Sequence, residues 1–128
     1  MTLENNQITE RIIGAAMKVH TALGPGLLES AYEKCLAFEL SQQGMTVRSQ
    51  VELPITYGEV TLDAGYRLDL LVEEQVIVEL KTVERILPIH KAQLLSYLKL
   101  SNQRVGLLLN FHTEHLRDGI TRMVHDRK

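Results

Sequence analysis

The sequence predicts an α/β fold in which a central mixed β-sheet is flanked by helices. Three patterns indicate this class: amphipathic helices at the start of the chain, two apolar runs in its middle that read as one antiparallel hairpin, and a continuous apolar run near its end that is typical of a buried strand. With 128 residues, the chain is expected to form a single domain over residues 1–128, because it is long enough for one sizeable core but not for two.

Two helices are predicted before the first strand. The first extends from about Thr9 to Leu23, where apolar residues recur at helical spacing, and Gly24-Pro25-Gly26 ends it. The second extends from Leu27 to about Gln43, and Gly44 is its expected C-terminal cap. The apolar stripes of both helices are expected to face the sheet.

Residues 46–57 look extended, although their apolar residues alternate only in part. Pro54 indicates that this strand lies at an edge of the sheet or is bulged, because proline cannot donate to a central ladder. Tyr57-Gly58-Glu59 is a turn signal that separates this stretch from the hairpin.

A third helix and a buried strand follow the hairpin. The helix is predicted over Ile86–Leu100, with Pro88 suited to its first turn. Arg104–Phe111 is apolar enough to be a buried strand with helices on the faces of its sheet. The residues from Glu114 onward fit either a final strand or a short helix, and periodicity does not decide between them.

The predicted hairpin brings two acids to one face. Its strands are Tyr66–Val72 and Val76–Lys81, joined by a three-residue turn. With that turn the strands pair so that Asp69 lies directly opposite Glu79, with Cβ atoms about 5 Å apart. Two carboxylates at that distance repel by roughly 3 kcal/mol at an effective dielectric constant near 20.

Lys81 follows Glu79 by two residues and therefore points to the same face of the strand. Two acids beside a lysine need a cation, a shared proton or a solvated location, and a divalent metal is the sharpest of these interpretations. The alternative is a set of surface salt bridges from the two acids to Arg67 and Lys81, and the hairpin alone leaves both open. A turn one residue longer or shorter would also undo the pairing.

Glu29 is a further acid in an unusual position. On a helical wheel it lies within about 20° of Leu36 and Leu40, on or beside the apolar stripe. A buried carboxylate is costly unless it is hydrogen-bonded, paired or bound to a metal. The alternative is a boundary residue whose carboxylate reaches solvent or stabilises the positive end of its helix, and position alone leaves both open.

The third helix carries a polar face. Gln93 and Tyr97 are four residues apart, and His90 lies one turn before Gln93, so that the three side chains are neighbours. An amide, a phenol and an imidazole in a row could orient a phosphate or a nucleobase, or they could form an ordinary solvated face.

Composition narrows the classes of protein to which the chain can belong. No apolar run approaches the roughly 20 residues that span a bilayer, and the N-terminus lacks the pattern of a signal peptide, so no membrane association is expected. Cys35 is the only cysteine, which excludes an internal disulfide and indicates a cytoplasmic location. A net charge of −2 disfavours a broad nucleic-acid-binding surface, so that any such surface must be local.

Taken together, these residues resemble the signature of the PD-(D/E)XK nuclease superfamily. Asp69, followed ten residues later by Glu79-x-Lys81, fits that signature. The segment from Gln93 to Tyr97 resembles the Gln-x-x-x-Tyr motif of the exonuclease-like branch. The segment from Gly26 to Tyr32 fits Gly-x-x-Glu-x-x-Tyr, the pattern that names the small GxxExxY proteins of this superfamily. The resemblance extends from about residue 12 to residue 124.

The resemblance implies a restriction-endonuclease-like core and a Mg²⁺- or Mn²⁺-dependent nuclease, a deoxyribonuclease acting on DNA rather than RNA. Asp69 and Glu79 would bind the metal, and the backbone carbonyl of Leu80 would be a further ligand. Glu29 would complete the site directly or through water. Tyr32 is expected to pack against the site.

The resemblance also implies roles for the remaining polar residues. Lys81 would orient the attacking water or offset the charge that develops on the phosphate in the transition state. Gln93 and Tyr97 would position the phosphate backbone, with His90 beside them.

Two classes of function stay open. The first is a metal-dependent nuclease, which the acidic set with its lysine favours. The second is a catalytically inactive module that keeps the nuclease fold and binds nucleic acid or a protein partner, which the low net positive charge and the short chain favour. A homodimer is a further hypothesis, because nucleases of this size often need a second copy to build enough substrate surface.

Overall fold

A computed structural model of the protein describes residues 3–63 and 65–126. It is a mixed α/β fold with a five-stranded sheet flanked by helices, and the predicted fold class is confirmed. In chain order, the elements are α1 (Asn5–Leu23), α2 (Glu29–Gln42), β1 (Val47–Glu52), β2 (Ile55–Tyr57), β3 (Val60–Leu62), β4 (Arg67–Val72), β5 (Val76–Lys81), α3 (Pro88–Ser101), β6 (Val105–Asn110), a 3-10 turn (Leu116–Gly119) and β7 (Ile120–Val124).

The main sheet has the strand order β1-β4-β5-β6-β7. Its neighbouring strands are antiparallel except for β5 and β6, which are parallel. A parallel pair requires a crossover connection, and α3 supplies it. Strands β2 and β3 form a separate antiparallel hairpin. None of the helices in the described part of the chain combines the length and hydropathy that crossing a bilayer requires.

Two apolar layers hold the helices against opposite faces of the sheet. The first layer joins α1 and α2 to the sheet, and the second joins α3 to it. Side chains of β5 alternate between them: Val76, Val78 and Leu80 belong to the first layer and Ile77 to the second. Glu79 and Lys81 therefore point toward the α3 face.

Gly106 in β6 allows α3 to lie close to the sheet. A Cβ atom at this position would come within 2.8 Å of Leu94 Cδ1, a buried side chain of α3. The helix that carries the predicted polar face is thus packed directly on the strand beside β5.

The first helix begins earlier than predicted. It starts at Asn5 rather than near Thr9, because the Glu4 N–H donates to the Gln7 side-chain oxygen (2.9 Å) and caps an additional turn. The sequence signal for this cap is the pair of polar residues three apart, which precedes the apolar stripe.

The second helix ends close to the predicted residue, and it begins two residues later than predicted. Gly44 adopts a positive φ of 80°, and the Met45 N–H donates to the Leu40 carbonyl (3.2 Å), which closes the helix with a glycine-dependent cap. At the other end, α2 starts at Glu29 rather than at Leu27.

The extended stretch 46–57 is divided between two sheets. Strand β1 is an edge strand of the main sheet, as Pro54 indicates, whereas β2 pairs with β3 in a separate two-stranded sheet. The division falls between Glu52 and Ile55, because Pro54 has no N–H with which to continue a ladder. Beyond Glu114, both alternatives occur in sequence, a short 3-10 turn and then β7.

Candidate active site at the end of the β4–β5 hairpin

The β4–β5 hairpin has the predicted register. Val72 pairs with Val76 and Leu70 with Val78 across the three-residue turn. Continuing this register by one residue places Asp69 opposite Glu79, in the half of each strand that lies farther from the turn.

Side chains replace the backbone ladder where the two acids meet. The Asp69 N–H donates to Glu79 Oε2 (2.8 Å), and the Leu80 N–H donates to Asp69 Oδ2 (2.9 Å). Each carboxylate therefore accepts a hydrogen bond from a backbone amide of the opposite strand. This reciprocal arrangement fixes both carboxylates at the end of the hairpin.

Burial makes both carboxyl groups hard to ionise. Glu79 is only 4% exposed, and burial, together with the charge of Asp69, raises the pKa of Glu79 to about 8. Burial also raises the pKa of Asp69, against the opposing effects of the Leu80 N–H and of Lys81. A cation bound between these groups would relieve the repulsion.

Lys81 lies on the face of Glu79 and is half-buried. Its charge favours the ionised forms of Glu29, Asp69 and Glu79. In residues 3–63 and 65–126, however, no ion pair joins Lys81 to a carboxylate. Arg67 pairs with Glu52 instead (3.4 Å). The surface salt bridges considered as the alternative are therefore not the arrangement that the hairpin adopts.

Glu29 lies near the site but is not a buried acid. It is the first residue of α2 and is exposed, which corresponds to the boundary position considered as the alternative to a buried acid. A helical wheel gives only a direction, and the first residue of this helix lies beyond the layer that Leu36 and Leu40 contact. Partial burial still raises the pKa of its carboxyl group, with Lys81 opposing this effect and Asp69 adding to it.

The segment from Gly24 to Tyr32 positions the start of α2. Gly24 and Gly26 have φ values of 69° and 109°, which favour glycine. The Tyr32 hydroxyl donates to the Gly24 carbonyl (2.5 Å) and accepts from the Leu27 N–H (3.1 Å). Its buried ring stacks on Phe111, with centroids 4.5 Å apart. Tyr32 therefore packs in the core and holds the loop that precedes Glu29.

Two polar residues that the sequence did not single out complete the surroundings of Asp69. Gln50 Nε2 donates to Glu33 Oε1 (2.8 Å) and lies 3.5 Å from Asp69 Oδ1. Glu33 follows Glu29 by one helical turn, and this spacing of four could have indicated it. Gln50 could not be found in this way, because its position depends on the pairing of β1 with β4.

The backbone is distorted where Gln50 faces Asp69. Gln50 has a φ of 53°, a left-handed conformation that is strained for a residue with a side chain. On the facing strand, Leu70 belongs to the layer of α1 and α2, whereas Leu68 belongs to the layer of α3. Strict alternation would place both on one face, so the alternation of β4 breaks at Asp69.

The predicted polar face of α3 lines a cleft beside Lys81. The cleft has a volume of about 530 Å³, and His90, Gln93 and Tyr97 contribute to its walls. His90 Nδ1 also accepts the Leu87 N–H (2.9 Å) and so caps α3. Burial, followed by the charge of Glu79, raises the pKa of Tyr97. The hairpin and α3 therefore bring the predicted residues together.

A family model of the PD-(D/E)XK nuclease superfamily matches residues 6–123, a range that contains every residue of the candidate site. The chain belongs to the PD-(D/E)XK nuclease superfamily. The mixed sheet with flanking helices is accordingly the restriction-endonuclease-like fold of that superfamily. No curated protein and no solved structure matches the chain.

PD-(D/E)XK nucleases generally use divalent metals, and the donor set present fits such an ion. Within the described ranges, no three acidic, histidine or cysteine side chains form a ready-made metal cage. Mg²⁺ does not require one, because it keeps several waters and is commonly held by one or two carboxylates and the substrate phosphate. Asp69 and Glu79 supply such a pair, and a bound cation would favour the ionised form of both carboxyl groups.

Proposed function

We propose that the chain is a metal-dependent nuclease that hydrolyses phosphodiester bonds, with DNA rather than RNA as its substrate. The observation that carries this proposal is the reciprocal hydrogen bonding of Asp69 and Glu79 across the hairpin, with Lys81 on the same face. A surface salt-bridge cluster would not need two acids held in this way beside a lysine that forms no ion pair within the described residues.

Asp69 and Glu79 would hold Mg²⁺ or Mn²⁺, the backbone carbonyl of Leu80 would be a further ligand, and Glu29 would contribute directly or through water. Bound there, such an ion polarises the phosphodiester and lowers the pKa of a coordinated water. Because Glu29 is exposed at the start of α2, it can adjust its rotamer toward the acid pair without a cost in burial.

The other side chains of the site would orient the substrate. Lys81 is close enough to the acids to affect their pKa values, so its ammonium group can orient the attacking water or stabilise the charge on the phosphate. Gln93 and Tyr97 line the cleft beside it and would position the phosphate backbone. His90 has one ring nitrogen committed to capping α3, which leaves Nε2 for a contact with substrate.

The Gly-x-x-Glu-x-x-Tyr pattern supports assignment to the GxxExxY proteins. The hydroxyl of its tyrosine bonds the preceding loop, its glycine has a positive φ, and the charge of Lys81 lowers the pKa of its glutamate against the effect of burial. We further propose a single-domain, cytoplasmic protein that either forms a homodimer or relies on a protein partner to extend its substrate surface.

The test is cleavage of labelled single-stranded, duplex and branched DNA and of RNA, with Mg²⁺, Mn²⁺ or EDTA. Wild type should cleave DNA only with the metal, and Glu79→Gln and Lys81→Ala should each lower the rate by about 100-fold or more. The matched control is Lys18→Ala, which should cleave as wild type does. Lys18 is an exposed lysine of α1 that pairs with Glu39 of α2.

Equal cleavage by wild type, Glu79→Gln and Lys81→Ala would assign the activity to a contaminant. Metal-independent binding of nucleic acid without cleavage would favour the inactive nuclease-fold module instead.

A further inference from the structure

The cleft beside Lys81 has an aromatic and apolar side that the proposed phosphate contacts leave unexplained. Tyr66 and Tyr97 meet in it edge to face, with ring centroids 6.3 Å apart and planes inclined by 67°. Ile55, Ile89 and Leu100 complete this side. Tyr66 is 43% exposed and Ile89 is 68% exposed, so the apolar side is open to solvent.

We infer that this cleft binds one unpaired nucleobase, and that the substrate is therefore single-stranded or locally unpaired nucleic acid. The inference rests on the proposed function for the placement of the phosphate at Lys81. The base site itself is carried by the cleft, its two tyrosines and the amide of Gln93.

The shape and chemistry of the cleft fit a nucleobase. Its volume of about 530 Å³ lies within the range of small-ligand sites, which are mostly apolar with a few polar groups that fix orientation. Because the two rings are nearly perpendicular, a flat base stacked on one ring meets the edge of the other. Gln93 and Ser96 supply donors and acceptors for the edge of the base.

The position of Lys81 indicates which ligand the cleft receives. Lys81 belongs both to the cleft wall and to the surroundings of the acid pair. A nucleotide whose base fills the apolar side would extend its phosphate toward this lysine and the carboxylates. A purely apolar side chain of a protein partner would make no use of this cation, and so a nucleotide is the better occupant.

Occupancy by a base requires that the base be unstacked. Removing one base from the stack is costly in a duplex, whereas in a single strand most of that cost is absent. Aromatic stacking of this kind is tolerant of sequence, because every base has a π-face. The cleft thus favours unpaired strands without specifying a sequence.

The experiment compares Tyr66→Ala and Tyr66→Phe, both in a Glu79→Gln background and in EDTA so that no cleavage occurs. Tyr57→Ala is the matched control, since Tyr57 is 80% exposed and is not part of the cleft wall. The Tyr66 substitutions should leave the fold intact, because the bond from the Leu53 N–H (2.9 Å) goes to the backbone carbonyl of Tyr66.

Affinity is measured by fluorescence anisotropy with a single-stranded oligonucleotide and its duplex, and stacking by the quenching of 2-aminopurine. Tyr66→Ala should weaken single-strand binding by about ten-fold or more and abolish the quenching. Tyr66→Phe should restore both, while Tyr57→Ala and duplex binding should change little.

Equal losses in Tyr66→Ala and Tyr57→Ala, or equal losses for single strand and duplex, would overturn the base site. The base site would also be overturned if the cleft bound no nucleotide and a protein partner protected it from solvent. The experiment distinguishes failure of the base site from failure of the proposed function. If the protein cleaves DNA but the Tyr66 substitutions do not change binding, only the base site is wrong. If 2-aminopurine is quenched but no metal-dependent cleavage occurs, only the nuclease proposal is wrong.

Discussion

Burial of Glu79 should make the stability of the metal-free protein depend on pH. The pKa of Glu79 is raised from an ordinary value of 4.5 to about 8, so the folded chain holds a proton that the unfolded chain has released. The resulting contribution to stability is complete below about pH 4.5 and is lost as the pH rises toward 8. The raised pKa values of Asp69, Glu29 and Glu33 act in the same direction.

We therefore expect the free energy of unfolding in EDTA to fall between pH 5 and pH 8, measured by urea denaturation with circular dichroism. Glu79→Gln keeps the shape and the hydrogen-bond acceptor but removes the ionisation, and should flatten this dependence. Glu10→Gln, an exposed residue of α1, should leave it unchanged. No fall in stability over this range, or an equal fall in Glu79→Gln, would contradict the raised pKa of Glu79.

Substitution of Gln50 should affect the stability of the protein and its cleavage activity differently. Its φ of 53° costs roughly 1 kcal/mol for a residue with a side chain, and glycine would remove that strain. Gln50→Gly should therefore leave the free energy of unfolding unchanged or raise it, while the loss of the contacts to Glu33 and Asp69 lowers the cleavage rate.

The matched control for Gln50 is Glu74→Gly. Glu74 has the same φ of 53° but lies in the turn at the other end of the hairpin, where it pairs with Arg48 on the surface. It should change stability similarly and leave cleavage unaffected. If Gln50→Gly loses stability and activity together, Gln50 is a structural residue only.

At the scale of elements, the start of α2 depends on Tyr32. Replacing it with phenylalanine keeps the ring stacked on Phe111 but leaves the Gly24 carbonyl and the Leu27 N–H without their partner. Tyr32→Phe should lower the free energy of unfolding by about 1–3 kcal/mol, measured by denaturant unfolding. Tyr57→Phe, on the exposed β2–β3 hairpin, should change it by less than about 0.5 kcal/mol. Equal effects would mean that the Tyr32 hydroxyl does not hold the loop.

Elements defined by local chemistry could be predicted from the sequence, and those defined by tertiary pairing could not. The β4–β5 register follows from turn length, and the pairing of Val72 with Val76 and of Leu70 with Val78 confirms it. The transfer of the chain from β1 to β2 was missed, because Pro54 indicates an edge but does not show where the next strand goes. The sequence left the burial of Glu29 undecided, because a helical wheel contains no information about where the opposing layer ends, and the structure shows the residue exposed.

At the scale of the whole molecule, the fold class follows from the order of helical and strand periods, and the match over residues 6–123 agrees with it. The residues of the candidate site could be predicted from the sequence only in part. Acids and lysine are recognisable by their spacing within one hairpin, whereas Gln50 and the cleft of Tyr66 arise from segments far apart in the chain that only the folded sheet brings together.

The central claim is that Asp69 and Glu79 form a site for a divalent cation. Its most direct test is the denaturation midpoint at pH 8 with increasing Mn²⁺, since an ion that binds only the folded chain stabilises it by about 2.7 kcal/mol at 100 times its dissociation constant. Wild type and Lys81→Ala should both be stabilised as Mn²⁺ rises, and Glu79→Gln should not. Equal stabilisation of Glu79→Gln, or none of the wild type, would contradict the claim.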